Sequence, residues 1–211
     1  MPEFLVSIDR TLFLFFNRTI SNPVFDSFFV FITQRDSWII PLAAAAIIFI
    51  IREKRRALVV MGLVIIAVAI SDPLCVRIIK PLVHRLRPCH PSYFIDGQHL
   101  FLAGGHFLFG YKKSLSFPSA HAMNWFAAAT VLAFCFPKAV KWIFVLPFLV
   151  ALSRVYVGVH YPFDAAGGAV LGAVIGVAVY YGYLFARRRF ARKAELNTRP
   201  AGPDKNLNCF V

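Results

Sequence analysis

Apolar residues fall into blocks along this chain, separated by basic or turn-forming stretches. Residues 38–51, 57–79, 120–136, 142–157 and 165–186 are near-continuous runs of Ala, Val, Ile, Leu and Phe. A helix needs about 20 such residues to cross a bilayer. The shorter runs are extended by neighbouring residues and by long side chains that reach the interface. Upstream, residues 4–16 and 24–33 are aromatic-rich and interrupted by polar groups, with turn chemistry at 17–23 between them. They predict helices that lie in the interface or dip into it; the alternative joins them into one distorted span. The expected fold class is all-α: a polytopic membrane bundle of about five to six transmembrane helices with interfacial N-terminal helices. The expected organisation is an N-terminal interfacial region (1–36), a transmembrane catalytic domain (37–186) that carries a long loop at 80–119, and a basic tail (187–211).

Composition supports this picture. Of 211 residues, 59% are hydrophobic, against about 45–50% in soluble chains. Only 16% are charged, yet the net charge is +13. The basic residues sit mainly between apolar runs, so they act as topology signals and nucleic acid is not an expected partner. With five spans, one side collects 52–56, 138–141 and the tail from Arg187, with thirteen Lys/Arg, Arg199 and Lys205 included. Three acids accompany them: Glu53, Glu195 and Asp204. The other side has ten Lys/Arg against seven acids. The positive-inside rule puts the first set and the C-terminus in the cytoplasm, and turns the 80–117 loop and the turn around His160 outward. The N-terminus is outside if its two segments are interfacial. The four cysteines, Cys75, Cys89, Cys135 and Cys209, have no metal-ligand spacing, and a Cys75–Cys89 disulfide is not expected. Residues 1–16 lack the basic-then-apolar order of a cleavable signal.

Three polar clusters stand at the outer ends of apolar runs. The first runs from Lys80 to Arg87 and Pro88, the second from Ser116 through Pro118, Ser119 and Ala120 to His121, and the third from Ser153 and Arg154 to His160 and Asp164. Each has a plain reading by itself: Lys80 and Arg87 as interfacial anchors, Ser119 as a helix N-cap, Arg154 and Asp164 as an ion pair. Together they bring cations, two histidines and a carboxylate to one face and one depth. That set suits phosphate-ester cleavage. Lys80, Arg87 and Arg154 supply fixed charge for a phosphate, Ser119 a hydroxyl, and the helix after Pro118 free backbone N–H groups. Such donors stabilise the charge spread over the transferring group. Two histidines divide the roles of nucleophile and acid. Asp164 follows His160 by four residues and is spaced to hold one ring nitrogen, so His160 is the candidate nucleophile and His121 the general acid.

At these residues the sequence closely resembles the type 2 phosphatidic-acid phosphatase superfamily, which also includes vanadium haloperoxidases. The three-part signature is met by Lys80 with Arg87 and Pro88, by Pro118, Ser119 and His121, and by Ser153, Arg154, His160 and Asp164. Where the second part commonly has Gly, this chain has Ala120, whose backbone N–H stays available to phosphate. The resemblance covers about residues 38–186. It implies a phosphohistidine on His160, acid catalysis by His121, phosphate contacts from Lys80, Arg87, Ser119, Ala120 and Arg154, and no metal or other cofactor.

Other residues carry weaker expectations. His84 and Arg85 read as exposed or headgroup-facing. Asp72, a carboxylate inside an apolar run, reads as structurally paired with a nearby cation, with a role in the phosphate site as the second reading. Gly167, Gly168, Gly172 and Gly176 read as sites of close helix packing. The 88–117 loop, with Tyr93, Phe94, Asp96, Gly104, Gly105, His106, Lys112 and Lys113, is expected to shape headgroup choice. The expected function is an integral-membrane lipid phosphatase at the outer face of the plasma membrane (the inner membrane of a bacterium). Its partners are the bilayer and a lipid phosphate, with no obligate protein partner. Undecaprenyl diphosphate ranks first, then phosphatidylglycerophosphate or phosphatidate, then lipid A phosphates. A lipid phosphotransferase would use the same residues, and a non-catalytic phospholipid-binding or transport protein is the rival of a different class.

Overall fold

The computed structural model describes residues 3–34, 36–95, 98–99, 102 and 105–198. Outside them lie Arg199, Asp204 and Lys205 of the topology count, Cys209, and the loop residues Asp96 and Gly104. Helix α1 (Glu3–Leu14) widens into a π-type turn at Phe15–Thr19. Asn22 caps α2 (Pro23–Thr33): its side-chain oxygen accepts from the N–H groups of Val24 and Phe25 at 3.0 Å, and Pro23 stands at the start, where no N–H is needed. Helix α3 (Asp36–Glu53) leads to α4 (Arg55–Pro73), which continues through a π-type stretch at Leu74–Ile79 into α5 (Lys80–Val83). His84, at φ 52°, ends that rod in the left-handed region. The loop that follows carries a two-residue antiparallel ladder, β1 (Phe94–Ile95) with β2 (Gln98–His99). After it come α6 (Ala120–Cys135), the short α7 (Val140–Ile143), α8 (Val145–Tyr156) and α9 (Pro162–Thr198).

Helices α6 and α9 form the central pair; α4 and α8 each pack on both, α3 packs on α4, α2 on α8 and α1 on α9. Glycine sets the closeness of the central pair. Gly168, Gly172 and Gly176 recur every four residues and so lie on one face of α9. A Cβ on Gly168 would come within 2.6 Å of the Ser119 carbonyl oxygen, one on Gly176 within 2.6 Å of Thr130, and one on Gly172 would overlap the Met123 carbonyl. Gly167 leaves room for the Phe117 ring. The expected close helix packing holds at Gly168, Gly172 and Gly176, while Gly167 packs on a loop side chain. At the far end, Arg56 of α4 donates to the Cys135 carbonyl at 2.9 Å and lies over the Phe136 ring, which ties the start of α4 to the end of α6.

The outer surface is apolar. Ile39, Ile40, Ile65, Val170 and Val174 are all exposed, as suits a helix bundle solvated by lipid. Among the described residues three helical stretches are long and apolar enough to cross a membrane: Arg55–Val83, Pro137–Tyr156 and Pro162–Lys193. A fourth is reached if α2 and α3 act as one bent span. Two of the five expected spans fall short by this measure: α6 has sixteen residues, and the eighteen of α3 take in Asp36, Arg52 and Glu53. Cys75, Cys89 and Cys135 are free thiols.

The glycine seam is testable by thermal unfolding in detergent. Gly172→Ala should lower the midpoint, because overpacking a close contact costs about 1–3 kcal/mol. Gly182→Ala, where a Cβ meets nothing within 4 Å, should leave it unchanged or raise it, since alanine favours helix by about 1 kcal/mol. Equal effects at the two positions would refute the close α6–α9 approach.

Candidate active site

The three sequence clusters meet at one end of the bundle. The rod α4–α5 delivers Lys80 there, α6 begins there, α8 ends there with Arg154, and α9 begins there with Asp164. Gly158, at φ +83°, makes the return from α8 possible: a Cβ would strike Phe107 and the His106 carbonyl. The tight turn lets the N–H groups of Val159 and His160 both donate to the Arg154 carbonyl, at 3.2 and 3.1 Å, and so aims His160 inward. Asn17 braces the turn from outside; buried, it donates to the Tyr156 carbonyl at 2.7 Å and accepts from the His106 N–H at 2.6 Å.

Lys80, Arg87 and Arg154 are each at least nine-tenths buried, and His160, Asp164, Ser116 and Ser119 almost wholly so. The three cations rest on neutral oxygens. Lys80 donates to the Leu115 carbonyl at 2.8 Å, Arg87 to the hydroxyl and carbonyl of Ser114 at 2.9 and 3.1 Å, and Arg154 to the Thr33 hydroxyl at 2.6 Å. Among the described residues none of the three is in ion-pair reach of a carboxylate. Arg154 Nε is a buried donor with no acceptor. This is a concentration of positive charge with donors to spare, the electrostatic requirement of a phosphate site.

Arg87 Nη1 lies 2.9 Å from His160 Nε2. A guanidinium only donates, so Nε2 carries the lone pair and Nδ1 the proton. Nδ1 faces the Ser116 hydroxyl at 3.3 Å, and Ser116 in turn donates to Asp164 Oδ2 in a short contact. The direct Nδ1 to Asp164 distance is 3.6 Å, beyond hydrogen-bond length. The expected hold of Asp164 on His160 therefore passes largely through Ser116. Burial first, then Arg87, Arg154 and Lys80, push the His160 pKa well below its ordinary value, so the ring stays neutral.

Arg85 corrects its sequence reading. It is largely buried against the site and not headgroup-facing: Nη1 donates to Asp164 Oδ1 at 2.7 Å, Nη2 makes a short contact with Asp9, and the guanidinium lies over the Tyr161 ring at 4.2 Å. Asp9, fully buried, also accepts from the Phe163 N–H at 2.9 Å. Burial opposes the Arg85 charge, but Asp164 and Asp9 outweigh it and hold the guanidinium above its ordinary pKa. Sequence reasoning gave no role to Ser116, Asp9 or Asn17. The available signal was polarity out of place, since Asp9 and Asn17 interrupt an aromatic, apolar stretch. His84 is exposed, as expected.

Ser119 is the N-cap of α6, with its hydroxyl 3.5 Å from the Ala122 N–H, and its own N–H donates to the Asp164 carbonyl at 2.9 Å. Ala120 opens the helix, whose first-turn N–H groups have no helical acceptor. His121 is exposed on that turn and lines a cavity of about 320 Å3 with Thr33, Trp38, Asp72, Asn124 and Trp125. Asp72 departs from expectation: among the described residues its hydrogen-bond partner is the Asn124 amide at 2.9 Å, with no cation in ion-pair reach. In the loop, the Lys112 N–H ties to the Cys89 carbonyl and His106 faces the Ser21 hydroxyl.

The family model for the PAP2 superfamily matches residues 55–188. A lipid A 4'-phosphatase of Porphyromonas gingivalis is 33% identical over 193 residues, covering 89% of this chain and 78% of that protein. A decaprenylphosphoryl-5-phosphoribose phosphatase of Mycobacterium tuberculosis is 36% identical over 142 residues, 67% of this chain and 69% of the relative. The crystal structure of Aquifex aeolicus LpxE superposes with a TM-score of 0.60 at 26% identity, covering 80% of this chain and 92% of that one.

The Arg85 bridge predicts an order of stabilities. Removing one partner of a buried ion pair typically costs about 3–5 kcal/mol, because the other charge is left unpaired. Asp9→Asn leaves Arg85 its second carboxylate, whereas Arg85→Met strands two. In thermal unfolding, Arg85→Met should therefore melt lower than Asp9→Asn. The reverse order would rule out Arg85 as the shared counter-ion.

Proposed function

The chain belongs to the PAP2 superfamily and is a membrane lipid phosphatase, and we propose that it removes a phosphate from a lipid A-type sugar lipid through a phosphohistidine on His160. One observation carries the mechanism: His160 Nε2 lies 2.9 Å from Arg87 Nη1, in a buried cluster of cations that, among the described residues, have no carboxylate in ion-pair reach. A phosphate drawn to Lys80, Arg87 and Arg154 would bring phosphorus to that lone pair. The Ala120 N–H, in the first turn of α6, and the Ser119 hydroxyl at its N-cap add donors. Nε2 attacks phosphorus, the phosphorus–oxygen ester bond breaks, and His121 delivers a proton to the departing alcohol oxygen. Water then attacks the phosphohistidine, His121 takes its proton, and inorganic phosphate leaves with His160 neutral again. Asp164, acting through Ser116, stabilises the charge that His160 gains during transfer. Fixed cations supply the charge that a metal supplies elsewhere, so the reaction needs no metal.

The lipid A assignment rests on the lipid A 4'-phosphatase relative, whose match takes in 89% of this chain, against 67% for the decaprenylphosphoryl relative. It moves lipid A ahead of undecaprenyl diphosphate, the first choice from sequence. We read α3, α4–α5, α6, α8 and α9 as five spans, with α1 and α2 interfacial. The basic ends at 52–56, 138–141 and 187–193 argue for a cytoplasmic C-terminus and a site at the outer face.

The substrate assignment is tested on purified protein with lipid A 4'-phosphate, undecaprenyl diphosphate, phosphatidylglycerophosphate and phosphatidate, with release of inorganic phosphate as the readout. Lipid A 4'-phosphate should have the highest kcat/KM, in excess chelator as in its absence, and orthovanadate should inhibit. Loss of activity in chelator restored by magnesium would overturn the metal-free mechanism. Transfer of phosphate to a second lipid without release would make the protein a phosphotransferase, and no turnover at all would make it a binding or transport protein.

The two histidines separate by leaving group. His160→Ala should abolish turnover of every substrate. His121→Ala should lose about 10²–10⁴-fold on lipid substrates and much less on an activated aryl phosphate, whose leaving oxygen needs no proton. Acid quench of His121→Ala with that substrate should trap a phosphoenzyme. Phosphoenzyme formation surviving in His160→Ala would exchange the roles.

A further inference from the structure

Asp72 takes no part in the phosphate chemistry described so far. It lies near the end of α4, eight residues before Lys80, which is about 12 Å along a helix axis. A carboxylate at that depth is costly and marks a functional position unless it is paired. No Lys, Arg or His lies within ion-pair reach of Asp72 among the described residues. Its hydrogen bond comes from Asn124 Nδ2 to Oδ1, at 2.9 Å. Asn124 cannot be turned over, because its carbonyl oxygen would then face the carboxylate. With the amide N–H committed, Asn124 Oδ1 is a buried acceptor with no donor. The pair therefore offers acceptors: the second carboxylate oxygen of Asp72 and the amide oxygen of Asn124.

These acceptors share a cavity with the reaction. Asn124 follows His121 by three residues on α6, so the two side chains are neighbours about 5–6 Å apart. The cavity of about 320 Å3 is lined by His121, Asn124 and Asp72, with Trp38 and Trp125 as aromatic walls. Thr33, which holds Arg154, lies on it too. If His121 protonates the leaving oxygen, the part of the substrate just beyond that oxygen occupies this cavity. An acceptor-only pair there fits a leaving alcohol with hydrogen-bond donors about one helical turn past the ester oxygen. A sugar carries them as hydroxyl and amide N–H groups on its ring, and a polyprenyl leaving group has none on its hydrocarbon.

We propose that Asp72 and Asn124 form a headgroup subsite that selects lipid phosphates whose leaving alcohol is a hydroxyl- or amide-bearing sugar. This rests on the reading of His121 as the general acid of a lipid phosphatase. A sugar donor completes the open oxygen of the Asp72 carboxylate, and a lipid without donors leaves the carboxylate facing hydrocarbon. A site built to hydrogen-bond its substrate discriminates in this way against analogues that lack the donor.

The test uses the full chain in detergent and compares kcat/KM for lipid A 4'-phosphate and farnesyl diphosphate in the wild type, Asp72→Leu and Asn124→Leu. Leucine suits a lipid-facing cavity, and melting curves check folding. The sugar-to-prenyl ratio of kcat/KM should fall roughly 10–100-fold in Asp72→Leu, the loss of a hydrogen bond to a charged acceptor, and less in Asn124→Leu. A substrate analogue with its sugar hydroxyls and amide methylated should be as poor for the wild type as the parent lipid is for Asp72→Leu, and methylation should cost Asp72→Leu little. The wild type's own loss on methylation needs no variant, so it decides even if a variant folds poorly. An unchanged ratio, or a wild type indifferent to methylation, overturns the subsite. A wild type that cleaves the prenyl substrate but not the sugar lipid overturns it as well, while leaving the phosphatase reading intact. A wild type that cleaves no lipid phosphate overturns both.

Discussion

One guanidinium holds the site together. Arg85 lies between Asp9 and Asp164, two carboxylates that would otherwise be buried without a counter-ion. A buried charge is tolerated only when paired and hydrogen-bonded. Both conditions are met here: Asp9 also accepts from the Phe163 N–H, and Asp164 from the Tyr161 N–H and the Ser116 hydroxyl. The arrangement sorts charge. The acids are satisfied by Arg85, so among the described residues Lys80, Arg87 and Arg154 stay free of carboxylates and their field falls on His160. If Asp164 paired instead with Arg87 or Arg154, a phosphate would have to compete with it.

The same contact fixes architecture. Asp9 belongs to α1, Arg85 to the loop after α5, and Asp164 to the first turn of α9. Three segments far apart in sequence are thus joined at one point. Asn17 adds a second tie from the N-terminal region to the turn that carries His160. The N-terminal helices are part of the wall of the site, and the position of His160 depends on residues that lie outside the cluster of cations.

Much of this was legible in the sequence. The apolar blocks marked the helices, and the spacing of Lys80 and Arg87, of Ser119 and His121, and of Arg154, His160 and Asp164 marked the residues that the fold gathers. The glycines every four residues in α9 marked its tight seam with α6. Partnership was less legible. Arg85 looked like one more basic residue near a membrane surface, because its two carboxylates lie 76 and 79 positions away along the chain. Ser116 had no role in the sequence, because its place between His160 and Asp164 exists only after α6 and α9 have packed. Asp72 was seen to need a partner, but the wrong kind was expected: across the α4–α6 interface the facing residue is an amide. Spans also resist reading when length and charge disagree, as in α3, whose ends carry Asp36, Arg52 and Glu53.

Helix α6 is short for a membrane crossing. Its sixteen residues extend about 24 Å, some 6 Å less than the hydrocarbon core of an ordinary bilayer. Tilting only increases such a deficit, so the surrounding lipid must thin or the helix must start below the headgroups. Arg56 anchors the other end on the Cys135 carbonyl, which throws the shortfall onto the end that bears Ser119 and His121. On the five-span reading, the end of α6 that bears Ser119 and His121 becomes a dimple in the membrane surface. A lipid phosphate would then reach it by sliding sideways and slightly down while its acyl chains stay in the bilayer, and the thickness of the host membrane would control how readily substrate arrives.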